Sequence, residues 1–230
     1  MANLLDDNRA AREATLERVR RALGKTGDRT AARAAAAAYV AAGDQGPRPR
    51  IDGDLVDRFV RRAGHMASTV ERVADVAVLP LVVARYLAAL ELPPALAAQQ
   101  STAGVCWPEF AGLDWAAAGL AIEARPTQGD DRLGITGCYC AIAETGTLVV
   151  LSDPASPTAT TLLPDTHVAV LRAERIVAGM EDAFALIRSE RGALPRAVHM
   201  ISGPSRTGDI EQTIVLGAHG PFRVHIVLVG

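Results

Sequence analysis

The chain has 230 residues, of which 49% are hydrophobic and 22% charged, a balance typical of a globular protein with one domain of ordinary size. A formal net charge of −2 gives no support for nucleic acid as a partner. The first residues lack the basic stretch and apolar run of a signal peptide, and no apolar run is long enough for a membrane span, so the sequence predicts a cytoplasmic protein without a membrane span.

The amino-terminal 50 residues are predicted to be helical and to be joined to the rest of the chain by a linker. Residues 4–23 have the periodicity of an amphipathic helix, and Thr30–Ala42 is an Ala-rich helix with little to bury. Residues 43–50 (GDQGPRPR) have the Gly and Pro content of a linker. We therefore predict a helical extension with its linker over residues 1–50 and an α/β domain over residues 51–230.

Helix and strand patterns alternate from residue 51 onward. Helical periodicity predicts helices at residues 55–63, 75–90 and 179–189. Apolar and β-branched runs predict strands at residues 65–73, 96–100, 120–124, 133–137, 147–152, 166–171, 197–202, 213–216 and 222–229. This order predicts an α/β fold with a mixed, largely parallel sheet flanked by helices, and closely spaced strands over residues 133–152 and 213–229 predict hairpins.

The segment SGPSRTGDIE (residues 202–211) is the most informative stretch. It follows an apolar strand, and Gly203 and Gly208 allow backbone conformations that other residues resist. A loop at the carboxyl end of a strand is where open α/β sheets bind ligands. We expect this loop to meet a second segment, AETGT (residues 143–147), at the edge of the sheet.

Side chains in this loop allow two interpretations. Ser205 and Thr207 supply hydroxyls and Arg206 a planar cationic fork, and a helix starting near Asp209 would offer free amides to a small anion. Alternatively, Ser205 and Thr207 cap the turn while Arg206 pairs with Asp209 or Glu211. Composition alone does not separate the two.

Two further segments offer proton-handling candidates. Glu144, within AETGT, lies between an apolar stretch and a strand, where an unpaired carboxylate suits acid/base or nucleophilic work. The alternative is a structural Glu that fixes the turn at Gly146. His219 lies in a tight turn, LGAHGPF, as a proton donor or ligand contact, although a loop His more often bonds the backbone. No metal-ligand spacing, phosphate loop or dinucleotide fingerprint is present, so we predict no metal site.

The three cysteines, Cys106, Cys138 and Cys140, are too few for an iron–sulfur ligand set. A disulfide between Cys138 and Cys140 would be strained by their spacing. The sequence therefore predicts buried free thiols in a reducing compartment.

The ordered segments GITG, AIAETGTLVVLS, TLLPDTHVAVL, ISGPSRTGDIE and GAHGPFRVHIVLV together resemble the LUD-domain family, over roughly residues 133–229. The resemblance implies a fold like that of the sugar-phosphate isomerase, CoA-transferase and formyltetrahydrofolate cyclo-ligase group. The motif positions that it carries over are Glu144, Thr145, Gly146, Thr147, Ser202, Gly203, Ser205, Arg206, Thr207, Asp209, Glu211, His219 and Gly220.

The resemblance also implies a function. It points to one component of an L-lactate utilization system that oxidises L-lactate to pyruvate, an accessory subunit without a cofactor of its own whose partner proteins carry the iron–sulfur clusters. With this function, the SGPSRTGDIE loop (residues 202–211, called the motif loop) binds a small anionic ligand. Two alternatives stay open: an independent enzyme on a phosphorylated or CoA-linked metabolite with Glu144 as base or nucleophile, and a non-catalytic ligand sensor.

Overall fold

A computed structural model describes residues 2–24, 28–44, 46–90, 102–210 and 212–230 of the chain. The helices are α1 (Ala2–Ala22), α2 (Thr30–Ala42), α3 (Leu55–His65), α4 (Leu79–Ala88) and α5 (Met180–Arg191). The strands are β1 (Thr69–Val73), β2 (Ala103–Cys106), β3 (Ala121–Ala124), β4 (Leu133–Gly137), β5 (Cys140–Ile142), β6 (Thr147–Leu151), β7 (Thr166–Arg172), β8 (Ile176–Val177), β9 (Val198–Ile201), β10 (Arg206–Ile210), β11 (Thr213–Leu216) and β12 (Arg223–Val229). The chain divides into two compact units, Met1–Pro49 and Arg50–Gly230.

The first unit consists of α1 and α2, both close to their predicted bounds. Gly24 and Gly43 follow the two helices with positive φ of 60° and 61°, a conformation that glycine adopts without strain. None of the residues of α2 is buried, and Tyr39 and Val40 are 76% and 75% exposed. The helix therefore depends on the intrinsic propensity of its alanines rather than on packing.

A six-stranded sheet forms the centre of the second unit. Its strand order is β1-β12-β7-β4-β2-β3, and every pairing is parallel. The inner strands are buried on both faces: all five residues of β4 and six of the seven of β7 are buried. Burial on both faces explains why these strands are mostly apolar and do not alternate between apolar and charged residues.

A second sheet of four strands, in the order β8-β5-β6-β9, packs on one face of the first. Its centre is the β5–β6 hairpin, and β6 is also antiparallel to β9. Helix α3 shares this layer, since Phe59 and Ala63 pack with Leu148 of β6 and Ile226 of β12. Complete burial of a side chain such as Phe59 contributes roughly 1.5–3 kcal/mol to the layer contact.

Helices cover the two outer surfaces. On the other face of the six-stranded sheet, Leu79 and Val83 of α4 pack with Trp107 and Trp115. On the far side of the four-stranded sheet, α5 packs through Ala183 and Ile187. The order of layers is thus α4, the parallel sheet, the small sheet with α3, and α5, which confirms the predicted α/β fold class.

The arrangement of the pairings differs from the prediction in its details. The strands form three separate sheets rather than one: the six-stranded sheet is wholly parallel, the four-stranded sheet is mixed because β8 is parallel to β5 while β6 is antiparallel to it, and β10 and β11 form an antiparallel pair. The hairpin expected over residues 213–229 was wrong. β11 pairs instead with β10, and β12 is an inner strand of the parallel sheet. The strand predicted at residues 65–73 starts only at Thr69 because α3 runs on to His65, and the strand predicted at 96–100 lies outside the described residues.

Within the described ranges of the chain, no helix combines the length and the apolar character needed to cross a membrane.

Candidate functional site

The turn of AETGT and the loop of SGPSR lie side by side because of the small sheet. Residues 143–146 connect β5 to β6, which begins at Thr147. The start of β6 pairs with the end of β9, so that Leu148 is the register partner of Ile201. The hydroxyl of Thr147 therefore lies 2.7 Å from that of Ser202 and 2.7 Å from that of Thr145. Three hydroxyls form a continuous chain from the turn to the loop.

The third segment, LGAHGPF (residues 216–222), forms hydrogen bonds with Ser205 of the same loop. The Ser205 amide donates to the Pro221 carbonyl (2.9 Å), and the Ser205 carbonyl accepts from the Gly217 amide (2.9 Å). The His219 amide donates to Ser205 Oγ at 3.3 Å. We call residues 144–147, 202–207 and 217–221 the motif cluster, since the structure brings all three segments together as the sequence predicted for the first two.

Two glycines of the motif cluster touch the end of α3. Gly146 and Gly203 have φ of +71° and +82°, a region that side chains disfavour. A Cβ on Gly146 would overlap the Ala63 amide nitrogen, and one on Gly203 would overlap the Met66 carbonyl oxygen. The carboxyl end of α3 is therefore a fourth part of the site, which the sequence analysis missed because no local signal shows where a helix end will pack.

Arg206 lies at the same place. It is exposed, and its Nη2 lies 3.5 Å from the carbonyl of Met66, the residue that follows α3. A cation beside the free carbonyls at a helix end is favourable. Within the described residues, Arg206 thus has a structural contact with Met66 while its side chain remains exposed; the alternative pairing with Asp209 or Glu211 involves side chains outside the described part of the chain.

The helix considered near Asp209 was wrong. Residues Arg206–Ile210 form strand β10, and Thr207, buried to 8% exposure, is the register partner of Val215 in β11. A strand offers no array of free amides of the kind found at a helix start, so the anion site argued from that helix does not exist. Glu211 lies outside the described residues, as does the structure around the side chain of Asp209.

Glu144 and His219 belong to different segments of the motif cluster. Glu144 is half-buried, and its amide donates to the Ala178 carbonyl at 3.0 Å. Among the residues that the structure describes, none forms a hydrogen bond or ion pair with the Glu144 carboxylate. His219 is exposed. Both side chains are available to a ligand, and neither is positioned by a protein partner that would identify it as an acid or a base.

The motif cluster lies at the amino edge of the parallel sheet. Its contacts run to Met66 and Pro221, which lie directly before β1 and β12. The SGPSR loop does follow the carboxyl end of β9, but β9 belongs to the small sheet. The rule that ligands bind at the carboxyl edge of a parallel sheet therefore gives this cluster no support.

Exposed apolar side chains border the motif cluster. Ile214 and Leu216 of β11 are 73% and 42% exposed, and Phe222, next to Pro221, is 37% exposed. Leu216 is the register partner of Arg206. The surface around the cluster thus combines a cation, hydroxyls and apolar groups.

The three cysteines are free, as predicted. Burial raises the pKa of the Cys106 and Cys140 thiols to about 11, and it also raises that of Cys138. Thiols of this kind are largely protonated near neutral pH and are poor nucleophiles.

Comparison with known proteins places these segments in a family. The family model described as the LUD domain matches residues 90–229, a range that includes the whole motif cluster. The chain is 37% identical over 100 residues to lactate utilization protein C 1 of Bacillus mycoides, covering 42% of this chain and 43% of that protein. It is 32% identical over 129 residues to lactate utilization protein C of Bacillus licheniformis, covering 54% and 53% of the two chains.

The chain therefore matches only about half of the length of these curated relatives. A crystal structure of a DUF162 family protein from Deinococcus radiodurans matches with a TM-score of 0.54 and 22% identity, over 79% of this chain and all of that one. At that identity the likeness supports the fold alone. The match of the family model over residues 90–229 shows that the chain belongs to the LUD domain family.

Proposed function

We propose that this chain is a component of an L-lactate utilization system and works as an accessory subunit with iron–sulfur partner proteins. The observation that carries the proposal is that the segments of the LUD-domain resemblance, in a chain similar to proteins named lactate utilization protein C, fold into one surface cluster rather than into separate packing positions. The proposal takes residues 51–230 as the working domain. Oxidation of L-lactate to pyruvate is the reaction of the system as a whole.

In this proposal the motif cluster binds a small anionic ligand or an acidic group of a partner. Arg206 supplies a planar fork that can hold a carboxylate or a phosphate through two hydrogen bonds. Ser202 is an exposed residue, and its hydroxyl, at the end of the hydroxyl chain, can add a third hydrogen bond. Glu144 and His219 are the candidates for moving a proton, and Gly146, Gly203 and Gly220 keep the backbones close together.

The adjacent apolar side chains suit the partner protein of this proposal. Ile214, Leu216 and Phe222 are exposed next to the cluster, and interfaces commonly surround a polar anchor with apolar contact area. A partner seated there would cover the cluster and withdraw Arg206 from water. Withdrawal strengthens the pairing of Arg206 with an anionic group.

Co-purification tests the association directly. The protein would be expressed together with the iron–sulfur proteins of a lactate utilization operon and isolated by an affinity tag on this chain. We expect stoichiometric association and the visible absorbance of bound clusters, lost in Arg206→Gln and retained in Arg196→Gln, an exposed arginine outside the cluster. Absence of association in the wild-type protein would overturn the accessory role.

A further inference from the structure

The topology of the parallel sheet has a crevice on the edge opposite the motif cluster. β2 lies between β3 and β4 in the sheet. The chain runs from β2 outward to β3 on one side, and from β4 it runs, by way of the small sheet, to β7 on the other side. Adjacent strands whose connections run in opposite directions leave a gap outside their carboxyl ends, and open α/β sheets bind ligands there. The gap in this chain lies beyond Cys106 and Gly137.

A cleft of about 320 Å³ occupies that position. It is lined by Trp107 and Glu109 from the segment after β2, by Cys138 and Tyr139 from the segment after β4, and by Arg191 at the end of α5, among others. The volume is near the lower end of the range for small-molecule sites, which suits a small metabolite rather than a nucleotide.

Glu109 is exposed, but its carboxylate is fixed in the wall of the cleft by Gly137. Its carboxylate accepts the Gly137 amide, and a Cβ on Gly137 would overlap Glu109 Oε1, so the glycine leaves the space that the carboxylate occupies. Burial raises the pKa of Glu109, an effect opposed by the charge of Arg172 at the end of β7. The ends of three parallel strands thus meet around one carboxyl group.

Several other polar groups that line the cleft already form hydrogen bonds within the protein. Trp107 Nε1 donates to the Pro157 carbonyl (3.1 Å), Tyr139 Oη donates to Glu190 (2.6 Å), and Asp153 Oδ1 accepts the Ala155 amide (2.9 Å).

Three lining groups are left to a ligand. In the described part of the chain, Arg191 and the Ser156 hydroxyl make no side-chain hydrogen bond. The Arg191 guanidinium lies over the Tyr139 ring, 5.9 Å from its centre, a contact that leaves its N–H groups available. Glu109 is held by one backbone amide and keeps further acceptor capacity. A guanidinium on one wall and a carboxyl group on another therefore remain for a ligand.

We propose that this cleft binds a small carboxylic acid that carries a hydroxyl or carbonyl oxygen beside its carboxylate. The ligand carboxylate pairs with Arg191, and its second oxygen hydrogen-bonds to the carboxyl group of Glu109, which accepts from a hydroxyl and, when protonated, donates to a carbonyl. The Trp107 ring forms an apolar wall. The ligand class includes L-lactate and pyruvate and so rests on the proposed function, whereas the site itself rests on Arg191 and Glu109 in this cleft.

The two tryptophans provide a readout of binding. Trp107 lines the cleft, whereas Trp115 is buried in the core with its indole donating to Phe110. In ¹H–¹⁵N spectra, titration with L-lactate or pyruvate should shift the Trp107 indole signal and leave that of Trp115 in place. Propionate, which is lactate without the hydroxyl, should bind more weakly by about ten-fold if one hydrogen bond to a charged group is lost.

Variants separate the two contacts of the ligand. Arg191→Gln should weaken all three acids by ten-fold or more, while Arg188→Gln, on the same helix but outside the cleft, should not. Glu109→Met should remove the preference for L-lactate over propionate, and Gly137→Ala, which displaces the carboxylate without removing it, should do the same. Melting temperatures identify any variant that fails to fold.

Two results would overturn the proposal: no shift of the Trp107 signal with any of the acids at 20 mM, or binding that Arg191→Gln leaves unchanged. Failure of acid binding would leave the accessory role in place. Failure to associate with iron–sulfur partners would leave the acid site in place.

Discussion

Replacing Gly203 by alanine tests whether the motif loop is seated on the end of α3. The new Cβ would meet the Met66 carbonyl oxygen, a backbone atom that cannot rotate away, and φ of +82° is unfavourable for alanine. The left-handed conformation costs about 1–2 kcal/mol for a residue with a Cβ. Displacement of the loop would also break the Thr147–Ser202 hydrogen bond, whose loss costs about 1 kcal/mol more. We expect a loss of about 2–4 kcal/mol in the free energy of unfolding.

Gly208→Ala is the matched control within the same motif. A Cβ on Gly208 has no heavy atom within 4 Å, and its φ is not in the left-handed region. Urea unfolding of both variants gives the comparison, and a loss of this size lowers the Tm of the Gly203→Ala protein by about 5–15 °C. Equal and small effects of the two substitutions would refute the packing of the loop on Met66.

Two further predictions follow from buried polar groups. Thr147→Val should cost about 1–2 kcal/mol in thermal unfolding, because the hydroxyls of Thr145 and Ser202 lose their common partner, and an unchanged Tm would contradict the hydroxyl chain. Burial lowers the pKa of His167 and His225 to about 4, so the unfolded chain binds more protons than the folded one between pH 6.5 and 4. The free energy of unfolding is therefore not reduced by these histidines above pH 6.5, and it decreases as the pH falls from 6.5 towards 4. At pH 4.5 the loss is roughly 2–3 kcal/mol for each histidine. Urea unfolding at pH 8 and pH 4.5 should show this loss, and His225→Phe, which keeps the stacking on Tyr86, should reduce it; the same loss in that variant would contradict the assignment.

Much of the fold could be predicted because the inner strands carry a local signal. β4 is buried on both faces and β7 almost entirely, so their sequences are mostly apolar and β-branched and do not alternate with charged residues, a pattern that can be recognised without reference to neighbouring strands. Short strands such as β2 and β8 carry too few residues for a pattern to emerge. The partner of β11 depends on strands that are distant in the chain, and the Gly–Asp pair within β10 resembles the start of a helix.

The candidate site, too, could be predicted from the sequence only in part. The turn of AETGT and the SGPSR loop are informative by themselves, and the sequence predicted that they would meet. Glu109 was missed because its setting, WPEF, has no local mark of function. Its importance depends on Gly137 and Arg172, which strand order brings to the same edge from elsewhere in the chain. A glycine that ends an otherwise apolar strand was the available signal.

Lactate-dependent electron transfer in a reconstituted system tests the central proposal most directly. The protein would be combined with the iron–sulfur proteins of a lactate utilization operon, and the rate of dye reduction would be measured after addition of L-lactate. The account predicts that the rate depends on this chain, falls at least ten-fold with Arg206→Gln and is retained with Arg196→Gln. A rate that does not change when this chain is omitted would contradict it.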